Sequence, residues 1–401
     1  MTVKQRIEML RKLAEADAAG DGSAHHALLR EIRSLQQTVE TPIETTSRLN
    51  FQILQNICLR IAIEKRLLQT IVCRHGEPIT AGELEAATET DRLLITRVMR
   101  VLSAVGLISE EGEEFYAAND VTRHAVTPGA IGALKHHFDL DMSLGGQLVD
   151  YMRRSPDNTI YQSAGEPEEN QTLFNFAHGH HTIFGLLSSD TDKGREQKKS
   201  FDDYMAGKRM TGSTLQWFDL YPTSARLADA RTGSDNVLIV DVGGGPGQEI
   251  IGLKKRHPEL PGRYILQDLP ITLDRIGRVP EGVEKMPYDF FTPQPVAGAR
   301  AYFLRDVMHN WSDAKCKLIL QNVAAAMDTD YSTLLIDQYV LPPIGADLRA
   351  AEMDILMLLH TGGIQRTVSM WEKLLSSAGL ELVKSWSSNS ASESVLEAKK
   401  L

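Results

Sequence analysis

The segment Asp241-Val242-Gly243-Gly244-Gly245-Pro246-Gly247 carries the strongest chemical signal in the chain. Glycine lacks a Cβ, so its backbone can lie against a bound group and take left-handed angles closed to other residues. The turn follows the apolar run Val237-Leu238-Ile239-Val240 directly and opens a helix near Gln248, and Asp268 ends the next strand-like run. A strand, a glycine turn, a helix and then an acid on the following strand is an arrangement that holds a nucleoside. The Asp268 carboxylate can accept both ribose hydroxyls. The order Gly-Gly-Gly-Pro-Gly differs from G-x-G-x-x-G, because the proline shapes a wider loop, better suited to an amino-acid moiety than to a pyrophosphate. Asp289 and Phe290, after a further short strand, offer an acceptor and an aromatic face for adenine. The bland alternative is a structural turn with no ligand.

The elements that must position this turn are legible from period and punctuation. Strand-like runs at Val237–Asp241, Tyr264–Asp268, Ala301–Leu304 and Thr333–Asp337 alternate with helical segments, which predicts βαβ units and a mainly parallel sheet. Upstream, residues 1–40 predict two amphipathic helices broken at Gly20-Asp21-Gly22-Ser23, and Asn50–Arg74 predicts one long apolar helix. That helix is richer in Ile and Leu than a monomer surface tolerates, so a dimer is expected. Thr80 and Glu83 form a capping-box pattern, a second helix covers Asp91–Val105, and residues 106–116 read as a hairpin, together a winged helix. Asp139–Asp229 reads as mostly helical, with polar loops at Pro156–Gln171 and Ser189–Lys199.

A length of 401 residues exceeds what one core serves, and a net charge of −10 disfavours nucleic acid and anionic membrane as partners. The winged-helix face sets Glu83, Glu85, Glu89 and Asp91 against Arg92, Arg97 and Arg100, at least as many acids as bases, which argues against DNA as well. Three scattered cysteines, no apolar run long enough for a membrane span and no leader-like start predict a cytoplasmic chain. The expected partner is a small molecule or a second copy.

The chain resembles the plant and fungal O-methyltransferases that use S-adenosylmethionine (SAM) and dimerise through an N-terminal winged-helix domain. The resemblance covers roughly residues 45–395 and rests on the glycine turn, Gln267-Asp268-Leu269-Pro270, Tyr288-Asp289-Phe290-Phe291 and Leu304–Asp313. Leu335–Pro342 and Gly362-Gly363-Ile364-Gln365-Arg366-Thr367 complete it. It implies an α/β fold, with a Rossmann-like SAM-binding domain built on a mostly parallel seven-stranded sheet and a helical winged-helix dimerisation domain. The expected divisions are 1–130, 131–230 for a helical linker and pocket region, and 231–401 for the catalytic domain. It further implies Asp241, Gly243, Gly245, Asp268, Leu269, Asp289, Phe290, Arg305 and Trp311 as SAM contacts and His309 as the general base. Phe174, Met205, Thr211 and Met308 are implied as pocket lining.

One departure changes the expected chemistry. Methyl-transferring members flank the histidine with two glutamates, and here both matching positions are amides, Gln338 and Gln365. An amide can orient a ring, but it brings no negative charge to an imidazolium. Replacing an orienting acid by its amide costs about 10⁴ in rate in serine proteases. The preferred expectation is therefore a non-methylating enzyme resembling the leporin-type pericyclases of the family, which dehydrate and cyclise polyketide-derived pyridones by hetero-Diels–Alder or ene chemistry. Arg305, Asp306 and one of His136 and His137, with His137 favoured, are then the catalytic candidates. Methyl transfer to a phenol or enol is the alternative. His178, His180 and His181 cluster without a cysteine or acid to complete a metal set, so no metal is expected.

Overall fold

A computed structural model describes the chain except residues 155–171, 181, 212–215, 234, 278 and 389–391, and except the side chains at 22, 23, 208–211 and 275. Two compact units emerge, one of residues 1–139 with 199–210 and one of 140–198 with 211–401.

The first unit is mostly helical. Helices Val3–Ala18 and Gly22–Val39 form the expected pair, and Thr2 and Gln5 cap the first reciprocally. The expected single helix over 50–74 is instead two. Thr41, Pro42 and Glu44 start a helix early, and Pro42–Glu64 ends where Arg66 turns left-handed (φ 57°) before Leu67–Val72. Leu49, Phe51, Ile53 and Leu54 of the longer helix are exposed. Thr80 caps Ala81–Thr88 in a full capping box, and Asp91 caps Arg92–Ala104. Three short strands, β1 (Ile79–Thr80), β2 (Ser109–Gly112) and β3 (Phe115–Ala117), pair antiparallel in the order β1-β3-β2. Leu67, Leu84, Ile95, Met99 and Tyr116 fill the core beneath them.

The second unit is organised by a seven-stranded sheet. Its strands are β4 (Val237–Val242), β5 (Arg263–Asp268), β6 (Val283–Pro287), β7 (Ala301–Arg305), β8 (Thr333–Gln338), β11 (Leu380–Ser387) and β12 (Ser394–Lys400). The order is β11-β12-β8-β7-β4-β5-β6, with β4 to β8 mutually parallel and β12 antiparallel to both its neighbours, β8 and β11. The expected Rossmann-like sheet is thus present. Between β8 and β11 the two-residue strands β9 (Val340–Leu341) and β10 (Arg366–Thr367) pair parallel. The pleat sorts side chains. Tyr302, Leu304, Leu334 and Ile336 face one core layer with Met308, Cys316 and Trp371, whereas Ala301, Phe303 and Leu335 face the other with Trp217 and Tyr264.

Ser189–Lys199 is not the loop that its polarity suggests. Thr191 accepts the N–H of Gly194 and starts the helix Asp192–Thr211, and Arg195–Asp192 and Lys199–Asp203 pairs brace its first turns. The other expected polar loop, 156–171, lies wholly among the residues not described. No helix is long and apolar enough to cross a membrane, among the described residues.

Candidate functional site

The glycine turn is built as its composition requires. Gly243, Gly245 and Gly247 have φ of 72°, 54° and 77°. The N–H groups of Gly243 and Gly244 both donate to the Gln267 carbonyl, at 2.8 and 3.1 Å. A Cβ on Gly244 would lie 2.5 Å from the Asp241 carboxyl, while one on Gly245 would meet nothing within 4 Å. Asp268 accepts the N–H of Gly245 at 2.9 Å and that of Leu269 at 2.7 Å, so two backbone donors fix the carboxylate at the rim of the turn. Asp289 accepts the Phe291 N–H at 3.0 Å. Phe290, Phe291 and Trp311 stand edge to face, with ring centroids 4.9 to 6.0 Å apart. An open glycine backbone, a fixed half-exposed carboxylate and an aromatic wall fit a nucleoside with a free ribose diol.

Arg305, at the end of β7, is enclosed by acids: Glu249 at 2.9 Å, Glu393 at 2.5 Å and Asp337 at 3.3 Å. Burial pushes the Asp337 carboxyl well above its ordinary range, against the pull of Arg305. Arg305 itself is held protonated by these acids against its burial. Its guanidinium is therefore committed to protein carboxylates. Asp306 follows in a left-handed conformation (φ 53°), and its two oxygens lie 4.0 Å from Arg305 Nε and 4.0 Å from His309 Nδ1. Both separations exceed hydrogen-bond length.

His309 sits in the 3₁₀ turn Met308–Asn310 and is 7% exposed. Gln365 Nε2 lies 3.0 Å from its Nδ1. With the amide nitrogen facing it, Nδ1 accepts and the ring proton sits on Nε2. Turning the amide over would present a neutral oxygen, which holds the opposite tautomer and still brings no charge. The residues before Gln365 complete the seat: Ile364 N–H donates to the His309 carbonyl at 3.0 Å, and a Cβ on Gly363 would collide with that oxygen. Asp354 accepts the Gln365 N–H at 2.7 Å.

Gln338 ends β8 on the pleat side of Leu334 and Ile336, the layer that contains Met308. It has no exposed surface, and neither its Oε1 nor its Nε2 has a partner among the described residues; Gln365 Oε1 has none either. Unpaired buried polar atoms cost about 1–3 kcal/mol each.

Met308 is fully buried in the core layer. Phe174 packs on His178 at 4.8 Å and edge-on to His360 at 6.3 Å. His137, whose ring meets Tyr204 at 4.9 Å, and Met205 belong to the first unit. The Thr211 side chain and His181 lie outside the described residues. Burial, then Lys193, push His178 down to about 4, and no metal-binding group of acids, cysteines and histidines occurs among the described residues. Sequence reasoning gave no role to Arg366, which has no exposed surface, or to the buried His360–Asp141 pair at 2.6 Å. A basic or imidazole side chain inside an apolar run, as at His360, was the available signal.

Comparison with known proteins adds to this geometry. A family model described as an O-methyltransferase domain matches residues 164–381. Methyltransferase cfoC of Aspergillus candidus is 32% identical over 99% of this chain and 96% of its own. A solved structure described as a pericyclic reaction enzyme superposes with a TM-score of 0.86 at 27% identity, covering 100% of this chain and 99% of that one. LepI in complex with SAM superposes with a TM-score of 0.85 at 25% identity, covering 99% of each.

Proposed function

This chain belongs to the O-methyltransferase family and is a SAM-dependent enzyme of natural-product chemistry, and from that premise we propose that it holds SAM without spending the methyl group and catalyses dehydration and hetero-Diels–Alder or ene-type cyclisation of a small polyketide- or pyridone-type substrate. The observation that carries this reading is the Gln365 amide on His309 Nδ1. A base must present a bare nitrogen to the hydroxyl and must be stabilised once it becomes a cation. The Gln365 amide offers that cation no negative charge whichever of its atoms faces Nδ1, and with its nitrogen there it leaves Nε2–H, a donor, at the other end of the ring.

In this reading Gly243, Gly245, Asp268, Asp289 and Phe290 hold the cofactor, which supplies a fixed positive charge. His309 Nε2–H donates to a substrate carbonyl oxygen as negative charge builds there. Dehydration needs one proton delivered to the departing hydroxyl and one removed from the neighbouring position. Asp306 can give the first and take the second, so water leaves and the carboxyl is restored. Arg305, engaged by three acids, lends its charge to the neighbourhood of Asp306 rather than touching substrate. The exposed Leu49, Phe51, Ile53 and Leu54 support assembly as a homodimer through the N-terminal winged-helix unit.

The second reading is methyl transfer to a phenol or enol, favoured by the relative that is itself called a methyltransferase. Replacing SAM separates the two. With sinefungin, a cationic analogue that has no methyl to give, turnover of an alcohol-bearing substrate persists in the proposed reaction; with neutral S-adenosylhomocysteine it falls. Loss of turnover with both analogues would assign the chain to methyl transfer.

A further inference from the structure

We propose that Arg366 is a positioning residue that sets His309 through its backbone, an assignment that rests on His309 standing at the reaction centre but not on which reaction it performs. Arg366 has no exposed surface. Its Nη1 donates to the Met308 carbonyl at 3.1 Å and its Nη2 to the Trp311 carbonyl at 2.9 Å. Nε and Nη2 also donate to Asp313 Oδ1, at 2.9 and 2.8 Å. The Trp371 ring lies 5.5 Å from the guanidinium carbon.

The bonds fall on both sides of His309. The segment 364–366 therefore grips the turn three times: Arg366 at Met308, Ile364 at the His309 carbonyl and Arg366 again at Trp311. Gln365, between the two, meets the imidazole itself. Pairing of β10 with β9 aligns Arg366 with Val340 and so ties the segment to the chain two residues beyond Gln338. Cys316 Sγ adds contacts of 3.1 and 3.4 Å to the same two carbonyls.

The chemistry of the residue matches the task. Only a planar fork can reach two carbonyls and a carboxylate at once, and a lysine ammonium in the same space would satisfy one or two of them. Much of Asp313 remains in water, with its side chain 68% exposed, so the ion pair alone is a poor reason to bury the guanidinium. The two backbone carbonyls are the better reason. A displacement of about 1 Å at a catalytic group costs on the order of 10² in rate.

The test reads the ring directly and needs no substrate. Protein labelled with ¹⁵N in its histidines and saturated with SAM is compared by NMR with Arg366→Met, Arg366→Lys and Asp313→Asn, alongside calorimetric SAM binding. The expected result is one fixed His309 tautomer in the wild type, averaging between both tautomers in Arg366→Met, and a wild-type pattern in Asp313→Asn. SAM should still bind, because no bond of Arg366 reaches the glycine turn or Asp268, and any weakening should come only through the Trp311 carbonyl. Arg366→Lys should average partially, and it decides the question if Arg366→Met does not fold. A wild-type His309 pattern in the Arg366 variants would overturn the proposal. So would loss of SAM binding and cooperative melting in both of them, which would make Arg366 a residue of the fold as a whole. An Asp313→Asn spectrum like that of Arg366→Met would also overturn it, by shifting the role to the ion pair. The wild-type tautomer judges the proposed function, whereas the difference between wild type and variant judges Arg366.

Discussion

Gln365→Glu converts the group facing His309 from an amide to a carboxylate without changing its size. The side chains meet at 3.0 Å and are 2% and 7% exposed as residues, so water screens them little. At that distance opposite unit charges attract by roughly 5 kcal/mol at an effective dielectric of about 20. Burying the new carboxylate takes back several kcal/mol. About 1–3 kcal/mol then remains in favour of imidazolium, which is roughly tenfold to a hundredfold in its protonation equilibrium. The substitution should also move the ring proton, because a carboxylate accepts from Nδ1–H and leaves Nε2 bare. Histidine ¹⁵N NMR reads the tautomer, and S-adenosylhomocysteine release with phenolic acceptors reads any methyl transfer gained. Gln338→Glu in addition should raise that rate further. If both variants bind SAM normally, carry Nδ1–H and form no S-adenosylhomocysteine, then pocket shape rather than the two amides determines the chemistry.

Three other perturbations address the supporting structure. Asp268→Ala removes a carboxylate fixed by Gly245 and Leu269; losing charge-assisted bonds worth about 1.5–3 kcal/mol should weaken SAM binding roughly tenfold to a hundredfold by calorimetry, and an unchanged affinity would remove Asp268 from the site. Gly363→Ala drives a methyl into the His309 carbonyl; it should cost about 1–3 kcal/mol in melting experiments and free the imidazole from Gln365, while a wild-type melt would show that the loop has room. His178, pushed down to about 4 from an ordinary 6.5 by burial and Lys193, takes up a proton more readily unfolded than folded. Its share of stability is therefore intact above pH 6.5 and is lost as pH falls toward 4. His178→Phe should flatten the melting curve across that window, and a mutant-to-wild-type difference that does not vary with pH would contradict the assignment.

The sheet and the glycine turn were readable because their causes are local. Short apolar runs mark β4, β5, β7 and β8, and left-handed angles need glycine at 243, 245 and 247. The break at Arg66 was not readable, since a left-handed arginine inside an apolar helical pattern has no composition signal. Nor was the helix from Asp192, whose polar first turn resembles a loop until its cap and ion pairs are counted. At the site, Gln338 and Gln365 announced themselves as departures from a family pattern. Arg305 did not reveal that three acids from β8, the β12 approach and the helix after β4 would enclose it, because those contacts join residues 249 to 393. Arg366 was hidden for the same reason: its partners lie more than fifty positions away.

In the proposed reaction SAM is held but not spent. Full conversion of an alcohol-bearing polyketide substrate in the presence of SAM labelled in its methyl carbon tests this directly. The expected product has lost water or isomerised and carries no label, with all of the label recovered in intact SAM. Label in the product, with an equal amount of S-adenosylhomocysteine, would contradict the proposed reaction.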